Sequence, residues 1–154
     1  MKYISTAGML MAVAFYSILI SCCAVPVAQM KPVNGTTIEV GFDSRVNGLK
    51  RTGRVHIPAG FSESSKYPLL LVVHGAFSTA EEMEAATGFS ELADSEGFVV
   101  LYPEGMGFLG FLQHWNAGHC CGKAAEIDLD DVAFLREGIE LLSSVLPIDT
   151  ARIY

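Results

Sequence analysis

The chain has 154 residues, 51% of them hydrophobic and 18% charged, which makes one domain with a packed core and excludes an intrinsically disordered chain. Its formal net charge of -7 is unevenly spread: no Lys or Arg lies between Lys66 and Lys123, while Glu81, Glu82, Glu84, Glu91, Asp94, Glu96 and Glu104 all fall there. Such a surface repels phosphate backbones, so nucleic acid is excluded as a partner.

Lys2, a nearly uninterrupted apolar run from Ala7 to Ile20, then small residues and Pro26 read as a secretory signal peptide over residues 1–24. The run is shorter than the roughly 20 apolar residues a membrane-spanning helix needs. Leu19-Ile20-Ser21-Cys22 also resembles a bacterial lipobox, in which cleavage before Cys22 leaves a lipidated cysteine and anchors the protein in the cell envelope. Cleavage after Ala24 or Ala28 instead releases a soluble extracellular protein, and both routes stay open. Either exposes the mature chain to an oxidising compartment, where Cys120 and Cys121 are the disulfide candidates. Adjacent Cα atoms lie about 3.8 Å apart, short of the roughly 4.4–6.8 Å that a disulfide normally spans. Their partners are therefore expected elsewhere.

Residues 25–35 read as a linker, polar from Lys31 to Gly35, and 36–154 as the domain. Thr36 to Phe42 alternates in strand fashion, Asn47-Gly48 supplies a turn, and Gly53 to Ile57 gives a second strand ended by Pro58. These two form an expected antiparallel hairpin at a sheet edge. Leu69 to Val73 is continuously apolar, the pattern of a parallel strand buried on both faces, with Pro68 at its entry and His74-Gly75 at its exit. Thr79 to Glu96 favours helix in two pieces, broken at Thr87-Gly88 and capped by Gly97. Phe98 to Tyr102, closed by Pro103, is a second buried strand, so a βαβ unit is the default. Glu104 to Ile127 has no clear period and reads as a long functional loop. Asp130 or Asp128 caps a helix with Val132, Leu135, Ile139, Leu142 and Leu146 on its apolar stripe and Arg136, Glu137, Glu140 and Ser143 facing away. Pro147 ends it, and Arg152-Ile153-Tyr154 looks like the start of a third parallel strand.

This order fits an α/β fold class: the N-terminal half of an α/β-hydrolase, with an antiparallel edge hairpin followed by parallel strands and crossover helices. In that fold the nucleophile sits on a Gly-x-Ser-x-Gly turn between strand and helix, and the sequence contains none. Its nearest decoy, Gly88-Phe89-Ser90-Glu91-Leu92, lacks the second glycine and reads as a helix start. His74-Gly75-Ala76 carries more, because the loop after the first long parallel strand normally gives one backbone N–H to the oxyanion hole. The bland alternative is that His74 merely ends a strand and bonds the loop.

Several ordered blocks then carry a family resemblance. They are Arg54-Val55-His56-Ile57-Pro58-Ala59-Gly60; Pro68 to Gly75; Ala86-Thr87-Gly88-Phe89 with Leu92-Ala93-Asp94; Gly97 to Pro103; Trp115-Asn116-Ala117-Gly118 with Cys120-Cys121-Gly122; and Asp130-Asp131-Val132-Ala133-Phe134. Together they resemble the secreted polyhydroxybutyrate depolymerase and feruloyl esterase family, which is carbohydrate esterase family 1-like, over most of the chain after Arg54. The resemblance implies a serine carboxylic-ester hydrolase acting on a polyester or plant cell-wall ester, with no cofactor and with its Ser-Asp-His triad beyond Tyr154. No catalytic residue is then expected within the chain, which alone should be inactive. It also implies a structural, disulfide-like part for the cysteines and a place near the substrate rim for Trp115 and Asn116. The family usually carries further glycines after the His-Gly pair, whereas Ala76-Phe77-Ser78 stands here. Phe77 therefore narrows the acyl pocket or shifts the oxyanion loop.

Other readings compete. His114, His119, Cys120 and Cys121 match no familiar zinc spacing, so no metal is expected. Asp131 is explained by helix capping and dipole interaction. A non-catalytic envelope or polymer-binding protein, and a peptidase or dienelactone-hydrolase-like enzyme, remain as alternatives on the same fold. Residues 1–154 alone are expected to be poorly soluble, since a parallel sheet cut at its centre leaves an apolar strand edge unpaired.

Overall fold

A computed structural model describes residues 24–43, 48–108 and 111–154. The signal-peptide reading, the lipobox with Cys22, and Asn47 of the expected turn fall outside these described residues. The expected hairpin forms from β2 (Thr36–Asp43) and β3 (Lys50–Ile57), paired antiparallel without a break from Thr36 opposite Ile57 to Asp43 opposite Lys50. It is not quite the edge. β1 (Val25–Pro26) runs parallel beside β2, a 3-10 turn follows over Val27–Gln29, and Val27 and Met30 are buried, so this part of the expected linker packs onto the sheet.

The βαβ unit is present: β4 (Tyr67–Leu71), α1 (Ala80–Thr87), α2 (Phe89–Glu96) and β5 (Val99–Pro103), with β4 and β5 parallel neighbours. Gly88 and Gly97 both adopt left-handed backbone at the ends of α1 and α2, the conformation in which glycine has no Cβ penalty. α4 (Asp131–Val145) then leads into β8 (Ile148–Ile153), parallel to β4. The chain enters this third parallel strand at Ile148, directly after Pro147, earlier than Arg152. The six strands order as β1-β2-β3-β5-β4-β8.

β5 sits between β3 and β4, and all five of its residues are buried. Its alternation splits the core into two layers. Val99 and Leu101 pack with Phe42, Val55, Leu69, Phe134 and Leu142 on the α4 side. Val100 and Tyr102 pack with Val72, Ala80 and Ala93 beneath α1 and α2. Each such buried aliphatic side chain contributes about 1.5–3 kcal/mol.

Three expectations change here. Burial of β4 on both faces is incomplete: Leu70 and Leu71 are half-buried and Val73 is exposed. On the Leu70 face the reason is that α1 and α2 lie over β5 and β3, leaving Pro68, Leu70, Phe98 and Tyr154 around an apolar recess. The segment after Glu104 is not one long loop, because it folds into an antiparallel hairpin, β6 (Met106–Phe108) with β7 (Phe111–His114), and the short helix α3 (Gly122–Glu126). On α4 Leu142 and Leu146 are buried and Leu135 and Ile139 pack against the core as expected, but Val132 is exposed, and Asp131, Phe134 and Gly138 are buried as well.

At Gly138 the helix comes close to Phe42 and Leu101. A Cβ there would meet both at 3.6 Å, ordinary contact. Gly138→Ala is therefore expected to stabilise the protein by about 0.5–1 kcal/mol through helix propensity, read as a higher melting temperature. A lower one would show that the interface has no room.

Candidate functional site

The loop between β4 and α1 is built around His74, which is 2% exposed. Nδ1 donates to the Gly75 carbonyl at 2.7 Å, and in the neutral ring Nε2 accepts the Gly105 amide at 3.0 Å. The His74 carbonyl accepts the Trp115 indole N–H at 2.9 Å, and the two rings lie 5.0 Å apart. Only glycine fits at 105, since a Cβ there would come within 2.7 Å of the His114 carbonyl and 3.0 Å of the His74 ring.

Further along, the Phe77 amide donates to the Gln113 carbonyl at 2.9 Å. Phe77 has φ 67°, left-handed backbone that costs a non-glycine residue about 1–3 kcal/mol and persists only where its surroundings over-determine it. Its ring is 67% exposed and edge-on to His114 at 4.8 Å. The Ala76 amide makes no hydrogen bond to another described residue.

Glu104 follows β5 directly. Its Oε2 accepts the Ala80 amide at 3.1 Å, and its Oε1 lies 3.2 Å from His74 Nε2 without another hydrogen-bond partner. Protonation of His74 would exchange the Gly105 bond for one to this carboxylate. Burial favours the neutral ring, yet Glu104 and the Gly75 carbonyl outweigh it, so the His74 pKa is raised above 6.5. A raised folded value means that this pairing stabilises fully below 6.5 and is lost as pH climbs through the folded pKa. The melting-temperature gap between wild type and Glu104→Gln is expected to shrink over that upward window. A gap that widens instead would contradict this assignment.

Behind the loop, Arg51 on β3 is buried. It donates to Asp131 Oδ1 at 2.9 Å and to the Glu104 carbonyl at 3.0 Å, with its guanidinium 4.0 Å from the Phe134 ring centroid and 5.6 Å from that of Trp115. Asp131 is thus not the helix cap. Asp130 takes that part by accepting the Ala133 amide at 2.8 Å, while Asp131 Oδ2 accepts the Asn116 amide at 2.6 Å.

The structure brings His74, Gly75, Ala76, Phe77 and Trp115 together. Trp115 is half-buried and its N–H is used on His74, so packing is what the geometry shows for it. Asn116 likewise uses its side chain internally, on the Leu129 carbonyl, Asp128 and the Gly118 amide. Cys120 and Cys121 stand side by side across a cis peptide with their sulfurs together, and Cys22 and Cys23 lie outside the described residues. Among the described residues no group of three or more His, Cys, Asp or Glu is placed to hold a metal ion. Ser90 is buried and hydrogen-bonded to Glu84 at 2.8 Å and Tyr102 at 3.1 Å, inside a network that includes Arg54 on Glu84 and His56 on Asp94. That excludes it as an exposed nucleophile. Sequence reasoning missed Arg51, Glu104 and Gln113; the one signal for Glu104 is its place directly after a buried strand.

A mixed sheet with helices on both faces, and a tight loop leaving β4 beside β5, match an α/β-hydrolase fold. A solved S-formylglutathione hydrolase from Agrobacterium tumefaciens superposes with a TM-score of 0.62 at 15% identity, over 80% of this chain and 49% of that one. No family model matches the sequence. Feruloyl esterase B of Piromyces equi is 34% identical over 101 residues, 65% of this chain and 18% of that protein. The bifunctional acetylxylan esterase/xylanase of Neocallimastix patriciarum is 41% identical over 61 residues, 40% of this chain and 9% of that protein. The chain thus spans less than a fifth of these relatives' lengths. The matched stretches are similar in sequence to these esterases, and the fold is that of an α/β-hydrolase.

Proposed function

We propose that the full-length protein hydrolyses carboxylic esters through a serine acyl-enzyme, and that the Ala76 amide is one donor of its oxyanion hole. One observation carries this reading: in the loop after β4 the neighbouring Phe77 amide is consumed by Gln113, whereas the Ala76 amide has no partner among the described residues. A backbone donor held in a rigid loop is already oriented before charge develops on the substrate oxygen, so no reorganisation is needed at the transition state. His74 and Gly75 shape the turn. Phe77 and the nearby Trp115 and Asn116 border the substrate.

The substrate is a feruloyl or acetyl-type ester of plant cell walls or a polyhydroxyalkanoate, and feruloyl esterase B and the acetylxylan esterase favour the first. Residues 1–24 act as an export signal, with release or lipid anchoring through Cys22 as the two outcomes, and 36–154 form the N-terminal part of the hydrolase domain. Cys120 and Cys121 play a structural part. The nucleophile lies in a Gly-x-Ser-x-Gly turn beyond Tyr154, so residues 1–154 alone are expected to turn over no ester.

The test is to assay the full-length protein on methyl ferulate, an acetylated xylan and a hydroxybutyrate oligomer. Turnover of at least one, abolished by serine-directed phosphonate, is the expected result. A folded protein inert on all three would overturn the reading.

A further inference from the structure

We propose that Glu104 is a positioning residue that clamps both ends of the oxyanion loop to the sheet. This rests on the loop assignment above but concerns a residue that touches no substrate. Glu104 is itself fixed on the sheet: its amide donates to the Thr52 carbonyl at 3.0 Å and its carbonyl accepts Arg51 Nη2 at 3.0 Å. Its carboxylate therefore projects from a rigid base. One oxygen stands 3.2 Å from His74 Nε2, where the loop begins and where it pairs with the protonated ring, and the other accepts the Ala80 amide at 3.1 Å, where α1 begins.

Only residues 75–79 lie between those two points. Midway, the Phe77 amide is tied to Gln113 on β7. Three anchors on so short a segment explain how Phe77 is kept in left-handed backbone, and they leave the position of the Ala76 amide little freedom. A single carboxylate spanning the loop also explains why Glu104 sits directly after β5, the most buried strand, rather than in a mobile turn. An ordinary helix cap would need only the Ala80 contact, and the approach to His74 would then serve nothing.

The test compares wild type, Glu104→Gln and Glu104→Ala in the full-length protein. Steady-state kinetics on the preferred ester are read beside amide hydrogen exchange at Phe77 and Ala80 and the melting temperature. Glu104→Ala is expected to lower kcat about 100-fold, the loss a displacement of about 1 Å brings, with KM nearly unchanged. Affinity for a phosphonate transition-state analogue should fall in parallel. Exchange at Phe77 should speed up, and Glu104→Gln, which keeps an acceptor for Ala80, should recover part of both losses. Unchanged exchange at Phe77, or a kcat loss that matches only the fraction unfolded, overturns the clamp. If the wild type hydrolyses no ester, the hydrolase reading fails, and the exchange at Phe77 still decides the clamp.

Discussion

Asp131→Ala is expected to cost the fold about 3–5 kcal/mol, the usual penalty for stripping the partner from a buried charge. The Arg51 side chain is 3% exposed and that of Asp131 8%, so the charge left behind would be largely cut off from bulk solvent. Arg51 would keep only the Glu104 carbonyl and its contacts with the Phe134 and Trp115 rings, and the Asn116 amide would lose its acceptor. A domain is stable by only about 5–15 kcal/mol, so this single change removes a large share. The pair itself need not be strongly stabilising. Replacing both members, Arg51→Met with Asp131→Leu, should recover most of the loss, because two desolvated charges disappear together. Urea unfolding midpoints of the three proteins decide it, and a loss under about 1 kcal/mol for Asp131→Ala would refute the buried-pair account.

The largest effect on activity is expected at Ala76. Proline there removes the backbone N–H and nothing else polar, so kcat should fall about 100- to 1,000-fold while KM moves little. Ala76→Gly keeps the N–H and should keep most of the activity. Proline also restricts the residue before it, and that residue is Gly75, whose backbone is the most free to adapt. A melting temperature near wild type for Ala76→Pro, alongside the kcat loss, would separate a missing donor from a disturbed fold. Full activity in Ala76→Pro would place the donor elsewhere, and Phe77 could not easily replace it while its amide is held by Gln113.

Much of the fold was legible because its signals are local. Gly88 and Gly97 could be placed as helix ends from their need for left-handed backbone, and Phe98 to Tyr102 read as a buried strand because it is apolar without alternation. The His74 loop followed from the same punctuation. What was not legible depends on partners distant in sequence. Arg51 and Asp131 look like surface charges until β3 and the start of α4 are brought together, 80 residues apart in the chain. On α4 Leu135, Ile139, Leu142 and Leu146 do face the core, but Val132 does not, and the deeper burial of Phe134 and Gly138 becomes visible only once the helix lies against Phe42 and Leu101. The β6–β7 hairpin was hidden because strands of three and four residues are too short to show a period. Gln113 was missed because it contributes a backbone carbonyl, which no side chain advertises.

Covalent labelling of the full-length protein with a fluorophosphonate, followed by mapping of the modified residue, addresses the hydrolase assignment most directly. One adduct is expected, on a serine in a Gly-x-Ser-x-Gly turn, with labelling slowed in Ala76→Pro. A folded protein that takes up no label, or one labelled on Ser90, would contradict it.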